Sequence, residues 1–326
     1  MYADAQLLIA DSESVVEFDV ASLSTEIQIQ TSIFDRPGKM TFRVVSEIER
    51  TLQEGSNVVF YADGAKRFDG YLFERHLTEA GYQDLVAYDR LRYLNNKDSK
   101  VFTESTLDTI FETICTEQQL PFEITSSSSW VTSPVAHDNQ TYYQMITRAI
   151  DETLINTQKY IIVRDNVGKL ELIELEALHT GLYIGDDNAI TGYNFTSSID
   201  KQTYNFVKLA QEDKAKSVRE VYITKDSENI YKWGQLQFFK KMNKKMNEAQ
   251  IKQMADEMLK LFNRKTKELK FTCLGDFRVG AGSGIYLNIQ DLKYEGVEPY
   301  IRVYVSNCRH RITQETHFME LEVEVP

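Results

Sequence analysis

The sequence predicts an α+β protein that is mainly β, with two similar β-barrel domains and a small α+β domain between them. Three observations lead to this prediction. Short strand patterns separated by turns run from residue 37 to residue 96, helical patterns follow Lys100, and a second turn-punctuated array closes the chain. The predicted domains are 1–96, 97–180 and 181–326, with a helix at about 247–265 inserted in the second barrel.

The first predicted barrel contains short strands with strong turn signals. Residues Glu26–Gln30 alternate apolar and polar side chains, which is typical of a half-buried strand. The dipeptide Asp63-Gly64 predicts a tight hairpin between Val58–Tyr61 and Phe68–Phe73, because glycine tolerates the positive φ that such a turn needs. Leu85–Tyr88 predicts a third strand. Three strands alone are marginally stable, so we expect them to close into a barrel or to pack on another element.

The middle domain is predicted to consist of two amphipathic helices and a hairpin. Capping boxes at Ser105–Asp108 and Thr141–Gln144 each precede apolar residues at helical spacing. The hairpin is predicted to pair Tyr160–Val163 with Leu170–Ile173. Because both helices carry their own apolar faces, we expect this domain to form a compact unit with its own core.

The third domain begins with strand patterns and contains one more helix. Asn205–Leu209 and Val218–Thr224 are predicted strands, and Asn247 with Gln250 forms a capping box. The helix has one apolar face, made of Ile251, Met254, Ala255, Met258, Leu259 and Phe262. We expect this face to pack on the second barrel, with a partner groove as the alternative.

A basic cluster precedes this helix. It consists of Lys240, Lys241, Lys244 and Lys245. No second basic patch accompanies it, so the cluster is interpreted as a solvated loop rather than a nucleic-acid site.

The last array repeats the order of the first. EGSNVVFYA at 54–62 corresponds to AGSGIYLNI at 281–289, FDGYLFERH to YIRVYVSNCRH, and DLVAYD to MELEVEV. The second copy carries extra residues between Gln290 and Pro299. The sequence therefore predicts two copies of one β unit.

The sequence contains no pattern that identifies a catalytic, cofactor-binding or metal site, so none is predicted. The run Gly280–Gly284 is followed by a strand pattern, whereas a phosphate-binding loop needs a helix N-terminus at that place. His310 and His317 are expected to lie on neighbouring strands and to face each other. The three cysteines, Cys115, Cys273 and Cys308, are far apart in sequence and are expected to be buried free thiols.

Charge and hydropathy exclude two function classes. With 37 basic and 49 acidic residues the net charge is −12, which opposes nonspecific phosphate binding. No apolar run approaches the roughly 18 residues that a transmembrane helix needs. The N-terminal stretch has no basic region followed by an apolar core, so we expect synthesis in a cytoplasm without a secretory signal.

A family resemblance rests on an ordered set of motifs. PGKMTF, EGSNVVF, FDGYLF and AYDRLRYLNNKD, all between residues 37 and 98, resemble the XkdQ/YqbQ-type proteins of PBSX-like prophages, a baseplate hub family of contractile phage tails and tailocins. The resemblance implies a structural hub that joins a sixfold tail tube to a threefold central spike, and the lack of a catalytic pattern in the sequence predicts that the protein is not an enzyme. The resemblance further implies a location in the virion tail or baseplate after synthesis in the bacterial host cytoplasm.

The resemblance also implies partners. These are the tail tube protein, the tape-measure protein, the central spike and other baseplate proteins. A homotrimer ring of this chain is predicted from the two copies of the β unit, because three chains would present six similar units between a sixfold tube and a threefold spike. DNA is expected only as passing cargo, no cofactor is expected, and no membrane insertion is expected. Two alternatives remain: a peptidoglycan hydrolase associated with the tail, and a spike-like component of a related injection machine.

Overall fold

The computed structural model describes residues 5–10, 17–34, 36–45, 52–77, 79, 81–186, 190–213, 218–242 and 247–325. The chain forms two compact units. The first contains residues 1–193 and 270–323, and the second contains residues 194–269 and 324–326. The predicted division into 1–96, 97–180 and 181–326 follows other boundaries and stays a prediction. Within the described ranges, no helix is long and apolar enough to cross a membrane.

The N-terminal segment of the first unit consists of seven strands. These are β1 (Gln6–Ala10), β2 (Glu17–Asp19), β3 (Ser24–Ser32), β4 (Lys39–Val45), β5 (Asn57–Ala62), β6 (Ala65–Leu77) and β7 (Tyr82–Tyr88). The predicted hairpin is confirmed, since Asp63 and Gly64 have φ angles of 52° and 66° between β5 and β6. Ile27 and Ile29 of β3 are both buried, as the alternating pattern predicts.

The middle segment contains the two predicted helices and the predicted hairpin. Its elements are β8 (Lys97–Phe102), α1 (Leu107–Glu117), β9 (Phe122–Ile124), β10 (Val135–Thr141), α2 (Tyr142–Thr157), β11 (Ile161–Asp165) and β12 (Leu170–Glu174). The capping box of α2 is present, but the predicted box of α1 is wrong by one residue. Thr106, not Ser105, caps α1 by accepting a hydrogen bond from the Thr109 amide.

The core of this segment includes a few residues that precede it. Leu91 and Leu94, on a 3₁₀ helix spanning Arg90–Asn95, pack with apolar side chains of α1, α2, β11 and β12. Strand β9 adds to the hairpin in parallel, and β8 pairs with β10, neither of which the sequence predicted. The apolar helix faces are buried within this segment and against Leu91 and Leu94, which precede the predicted domain.

Strand β13 (His179–Gly185) follows in the first unit, and the chain enters the second unit within β14 (Ile190–Ser198). That unit contains β15 (Phe206–Asp213), β16 (Val218–Lys225), α3 (Ser227–Trp233), β17 (Gln237–Met242) and α4 (Glu248–Phe262). The strand order is β16-β15-β17, and α4 packs on this sheet through the buried residues Ile251 and Ala255. The predicted helix is confirmed, but it covers a small sheet of its own.

The C-terminal segment supplies the last strands. These are β18 (Thr266–Leu274), β19 (Gly284–Asn288), β20 (Ile301–Ile312) and β21 (His317–Val325). Strand β3 pairs with β4 on one edge and with β20 on the other, so the first and last arrays join in one sheet. Its order is β14-β18-β21-β20-β3-β4-β7-β6-β5-β1-β2, with β13 and β19 beside β20.

This sheet confirms the mainly β fold class but corrects one detail of it. The sequence predicted two separate closed barrels, whereas the strands that the structure describes form one open sheet. The reason is the β3–β20 ladder, a pairing between residues about 280 positions apart that no local pattern signals.

Candidate assembly surface

The large sheet contains the same six-strand motif twice. We call the strands β3-β4-β7-β6-β5-β1 the first copy and the strands β14-β18-β21-β20-β19-β13 the second copy. In each list, neighbours pair, and the strands follow the same relative order along the chain. The two copies differ at one end, because β1 is antiparallel to β5 while β13 is parallel to β19.

Matching turns begin the central hairpin of each copy. Gly55 and Gly282 have φ angles of 91° and 88°, a region that favours glycine. Their amides donate hydrogen bonds to the carbonyl oxygens of Leu72 and Val305, over 2.7 and 2.8 Å. The Leu72 and Val305 amides donate back to the serine that follows each glycine, at 2.9 Å in both copies. The sequence correspondence between residues 54–62 and 281–289 is therefore a structural correspondence.

A β-bulge follows at the same place in both copies. The register between β6 and β7 shifts between Leu72 and Glu74, and the register between β20 and β21 shifts between Val305 and Asn307. A bulge bends its strand and increases the local twist. Both long strands therefore bend at equivalent residues. Beyond the bend, the edge that pairs with β5 or β19 in the first half of the strand is no longer covered by them; this second half is residues 74–77 of β6 and residues 307–312 of β20.

In the second copy, this edge of β20 pairs with β3, a strand of the first copy in the same chain. The β20–β3 ladder runs from the Asn307–Ser32 pair to the Ile312–Ile27 pair. Ile312 is 2% exposed and packs in the same apolar core as Ile27. This ladder is the junction between the two copies, and it shows how one copy of the motif joins another.

The glycine-rich run before β19 is the turn that the sequence predicted. In Gly280–Ser283, the first and last amides donate within the turn itself, to the Ser283 hydroxyl and the Gly280 carbonyl. The Ala281 amide donates to the Thr31 hydroxyl at 3.0 Å, and the Gly282 amide donates to the Val305 carbonyl. All four amides are engaged inside the protein, so the run has no donors to offer to a phosphate.

The two C-terminal histidines face each other, as expected. His310 Nδ1 and His317 Nε2 are 2.9 Å apart, and His310 Nε2 lies 2.9 Å from the carbonyl oxygen of Val279. A carbonyl accepts, so His310 Nε2 carries its proton and His310 Nδ1 accepts from His317. Burial, followed by the charge of His310, lowers the pKa of His317 to about 4. In the described ranges no group of three or more potential ligands is arranged to hold a metal ion.

The cysteines and the lysine cluster provide no candidate for chemistry. All three cysteines are buried and free, and burial raises the pKa of Cys115 and of Cys273 to about 12. Lys240 and Lys241 lie near the end of β17, on opposite faces of that strand. The other two lysines of the cluster, at 244 and 245, lie outside the described residues.

The stretch AYDRLRYLNN performs a structural task that the sequence did not reveal. The buried Asp89 accepts hydrogen bonds from the amides of Gly38 (2.8 Å) and Leu91 (3.0 Å). Asp165 accepts from the Arg90 amide at 2.9 Å. Burial, and then the nearby charge of Asp165, raises the pKa of Asp89 well above its ordinary value. These two carboxyl groups cap backbone amides and tie the first copy to the middle segment.

A family model and two sequence relatives match most of the chain. A family model described as YQBQ-like matches residues 27–324, nearly the whole chain, and this confirms the resemblance that the sequence motifs indicated. Two relatives come from Bacillus subtilis (strain 168). YqbQ is 27% identical over 323 residues, covering 95% of this chain and 94% of the relative. The phage-like element PBSX protein XkdQ is 29% identical over 304 residues, covering 90% and 87%.

A solved structure shares the fold. The 43 kDa tail protein of prophage MuSo2 from Shewanella oneidensis superposes with a TM-score of 0.73 over 98% of both chains. The two sequences are only 10% identical. At this identity the likeness concerns the fold alone, and the fold is that of a phage tail protein.

Proposed function

The chain belongs to the YQBQ-like family, and we propose that it is a structural protein of a contractile phage tail or tailocin. Within the tail we propose the role of a baseplate hub that joins the sixfold tail tube to the threefold central spike. The working form is a ring of three chains.

The observation that carries this proposal is the repeated six-strand motif with unequal insertions. Three chains with two copies each would present six similar motifs around an axis. Along the chain, the middle segment lies between the copies, and most of the second unit lies between β14 and β18 of the second copy. These insertions would recur three times per ring. Such a ring could repeat six contacts toward a tube and three contacts toward a spike.

The partners follow from this position. We propose the tail tube protein on the sixfold side, and the central spike with other baseplate proteins on the threefold side. The tape-measure protein and passing DNA would share the central channel. An acidic chain suits this last role, because a net charge of −12 does not retain a polyanion. The location is the virion tail or baseplate, after synthesis in the bacterial host cytoplasm.

We also propose that the protein is not an enzyme. Asp89 and Asp165 are the strongest candidates for catalytic carboxylates, but their oxygen atoms accept hydrogen bonds from backbone amides. These oxygen atoms are therefore not directed at a substrate. Zymography on peptidoglycan tests the hydrolase alternative directly. We expect no lysis zone from the purified chain, and a zone that a single carboxylate substitution removes would replace the hub role with that of a hydrolase.

The test of the hub role is the number of chains at the tube–spike junction of an assembled tail. Quantitative mass spectrometry of purified particles gives the ratio of this chain to the tail tube protein. Because each tube ring contains six tube proteins, the number of rings per particle converts this ratio into the number of chains. We expect three chains per particle. Six chains per particle would contradict the proposal.

A further inference from the structure

We infer that two open strand edges form the contact between neighbouring chains. Strand β14 of one chain pairs antiparallel with residues 74–77 of β6 in the next chain. The partner is therefore a second copy of this protein. This inference rests on the proposed ring, and it assigns the residues that close that ring.

The template for this contact is the β3–β20 ladder inside the chain. One edge of β20 pairs with β19 over residues 301–304 and then with β3 over residues 307–312. The opposite edge pairs with β21. The second half of β20 therefore has a strand on both sides, and the strand that joins it from outside its own copy is β3.

Strand β6 occupies the place of β20 in the first copy, but no outer strand pairs with it in the part of the chain that the structure describes. It pairs with β5 over residues 65–71 and with β7 over residues 71–77. Among the described strands, none covers the other edge of residues 74–77. The consequence is visible in one pair of counterparts: Leu77 pairs with Gln83 as His310 pairs with Met319, yet Leu77 is 66% exposed and His310 is 5% exposed.

Strand β14 occupies the place of β3 in the second copy and has the complementary deficiency. Strand β3 lies between β4 and β20, whereas β14 ends the sheet order with β18 as its neighbour among the described strands. An unpaired edge of nine residues is a template for strand addition, and native proteins ordinarily cover such edges. Among the described strands, the first copy therefore has no outer strand at this place, and the second copy has one to supply.

Counterpart positions give the register of the proposed ladder. Hydrogen bonds from Thr191 Oγ1 to the Thr272 carbonyl and from Thr266 Oγ1 to the Ser198 carbonyl align β14 antiparallel to β18. Of the residues near the middle of β14, the half-buried Phe195 is the one that we assign as the counterpart of the buried Ile29, which pairs with His310 across the in-chain ladder.

Transferred to the contact between chains, the register places Phe195 opposite Leu77 and Thr196 opposite His76. An aromatic ring would then cover the exposed leucine, and such cross-strand pairs stabilise a sheet. One chain contributes the edge of β14 and the other the edge of β6. After each contact, one β14 edge and one β6 edge are still open and can pair with further chains. A head-to-tail contact of this type closes into a ring when the rotation allows it.

Disulfide trapping in assembled tail particles tests the contact. The variant is His76→Cys with Thr196→Cys, both at exposed positions. Directly opposite residues of an antiparallel pair have Cα atoms about 4.5–5.5 Å apart, within the range that a disulfide spans. The native cysteines are buried and do not compete. After mild oxidation we expect most of the chain to shift into species up to a covalent trimer on a non-reducing gel.

The matched control moves one cysteine by a single position. His76→Cys with Ser197→Cys places the second thiol on the other face of the sheet, so we expect no trimer from it and none from either single variant. Particles that hold three chains but give no cross-link from the 76/196 pair would overturn the strand contact and leave the hub role intact. Particles with six chains would overturn the hub role itself.

If the double variant does not assemble, the density map of unmodified particles gives the answer. A map with β14 beside β6 of the next chain supports the inference. A map with any other strand on either edge overturns it.

Discussion

The two copies of the six-strand motif share their strand frame and differ in what connects the strands. In the first copy, β5 and β6 are joined by the two-residue turn Asp63-Gly64. In the second copy, the corresponding strands β19 and β20 are joined by residues 289–300, which include a 3₁₀ helix at Gln290–Glu295 and the 94% exposed Tyr294. The duplicated frame is therefore retained through backbone pairing, while the connections are free to diverge.

The same comparison explains why equivalent positions hold different residues. Gly70 of β6 pairs with Val58, and its counterpart Val303 of β20 pairs with Ile285. A Cβ atom at Gly70 would lie 2.3 Å from the carbonyl oxygen of Tyr88, because β7 passes close by. Val303, by contrast, is buried at 2% exposure and fills its site. Strands β6 and β20 therefore have equivalent pairing partners, but the space for a side chain differs between Gly70 and Val303.

The largest expected effect is therefore that of Gly70→Ala. The added methyl group collides with a backbone atom, and overpacking of this kind costs about 3 kcal/mol of the free energy of unfolding. The control is Gly192→Ala, where a Cβ atom meets nothing within 4 Å, and a change within about 0.5 kcal/mol is expected. Urea denaturation of both variants measures the difference. Equal stabilities would show that the two copies are more alike at this position than the structure indicates.

An intermediate effect concerns the histidine pair, which only the second copy contains. Unfolded histidine binds a proton near pH 6.5, whereas the pKa of His317 is about 4 in the folded protein. Below pH 6.5 the unfolded state therefore binds more protons, and stability decreases as the pH falls from 6.5 to 4. Asp276 favours protonation of both rings and Arg67 opposes it.

We expect this group to contribute about 2 kcal/mol to the loss, below the full value of the shift because His317 is partly exposed. Chemical denaturation at several pH values between 7 and 4 measures the dependence. His317→Phe should flatten the curve, whereas His76→Asn, at an exposed site of the first copy, should leave it unchanged. An unchanged curve for His317→Phe would contradict the assignment of the acid sensitivity to the second copy.

The smallest effect on stability is expected at Leu77, the exposed counterpart of His310. Leu77→Ser removes an apolar side chain that the single chain leaves in solvent, so the free energy of unfolding should change by less than about 0.5 kcal/mol. Assembly should suffer instead, because the proposed ladder buries this position. Particle yield in cells measures assembly, with Val101→Ser, another exposed apolar position, as the control. Equal yields from both variants would argue against a contact at Leu77.

Local features of the fold could be predicted from the sequence because each has a local physical cause. Asp63-Gly64 predicts its hairpin, and Thr141 with Gln144 predicts the start of α2, since both depend on neighbouring residues only. The start of α1 was missed by one residue because Ser105 and Thr106 can both cap a helix. The repeat was visible because each glycine turn and its strands recur in the same order.

Long-range pairing could not be predicted in the same way. Strand β3 alternates its side chains as any half-buried strand does, and nothing in that pattern selects β20 as its partner. The strands of the second unit were likewise indistinguishable from those of the second copy, so α4 was expected on the wrong sheet. The open edges of β6 and β14 depend on the same long-range pairing, because an edge is open only relative to the strands that pair elsewhere in the sheet.

The most direct test of the central claim, that two equivalent copies per chain turn three chains into a sixfold arrangement, is a cryo-electron microscopy map of the assembled tail. We expect three chains at the tube–spike junction, with successive copies of the six-strand motif related by rotations of about 60° around the tail axis. We also expect the motifs to alternate between first and second copies. A map with six chains in this ring, or with the two copies at different heights along the axis, would contradict this claim.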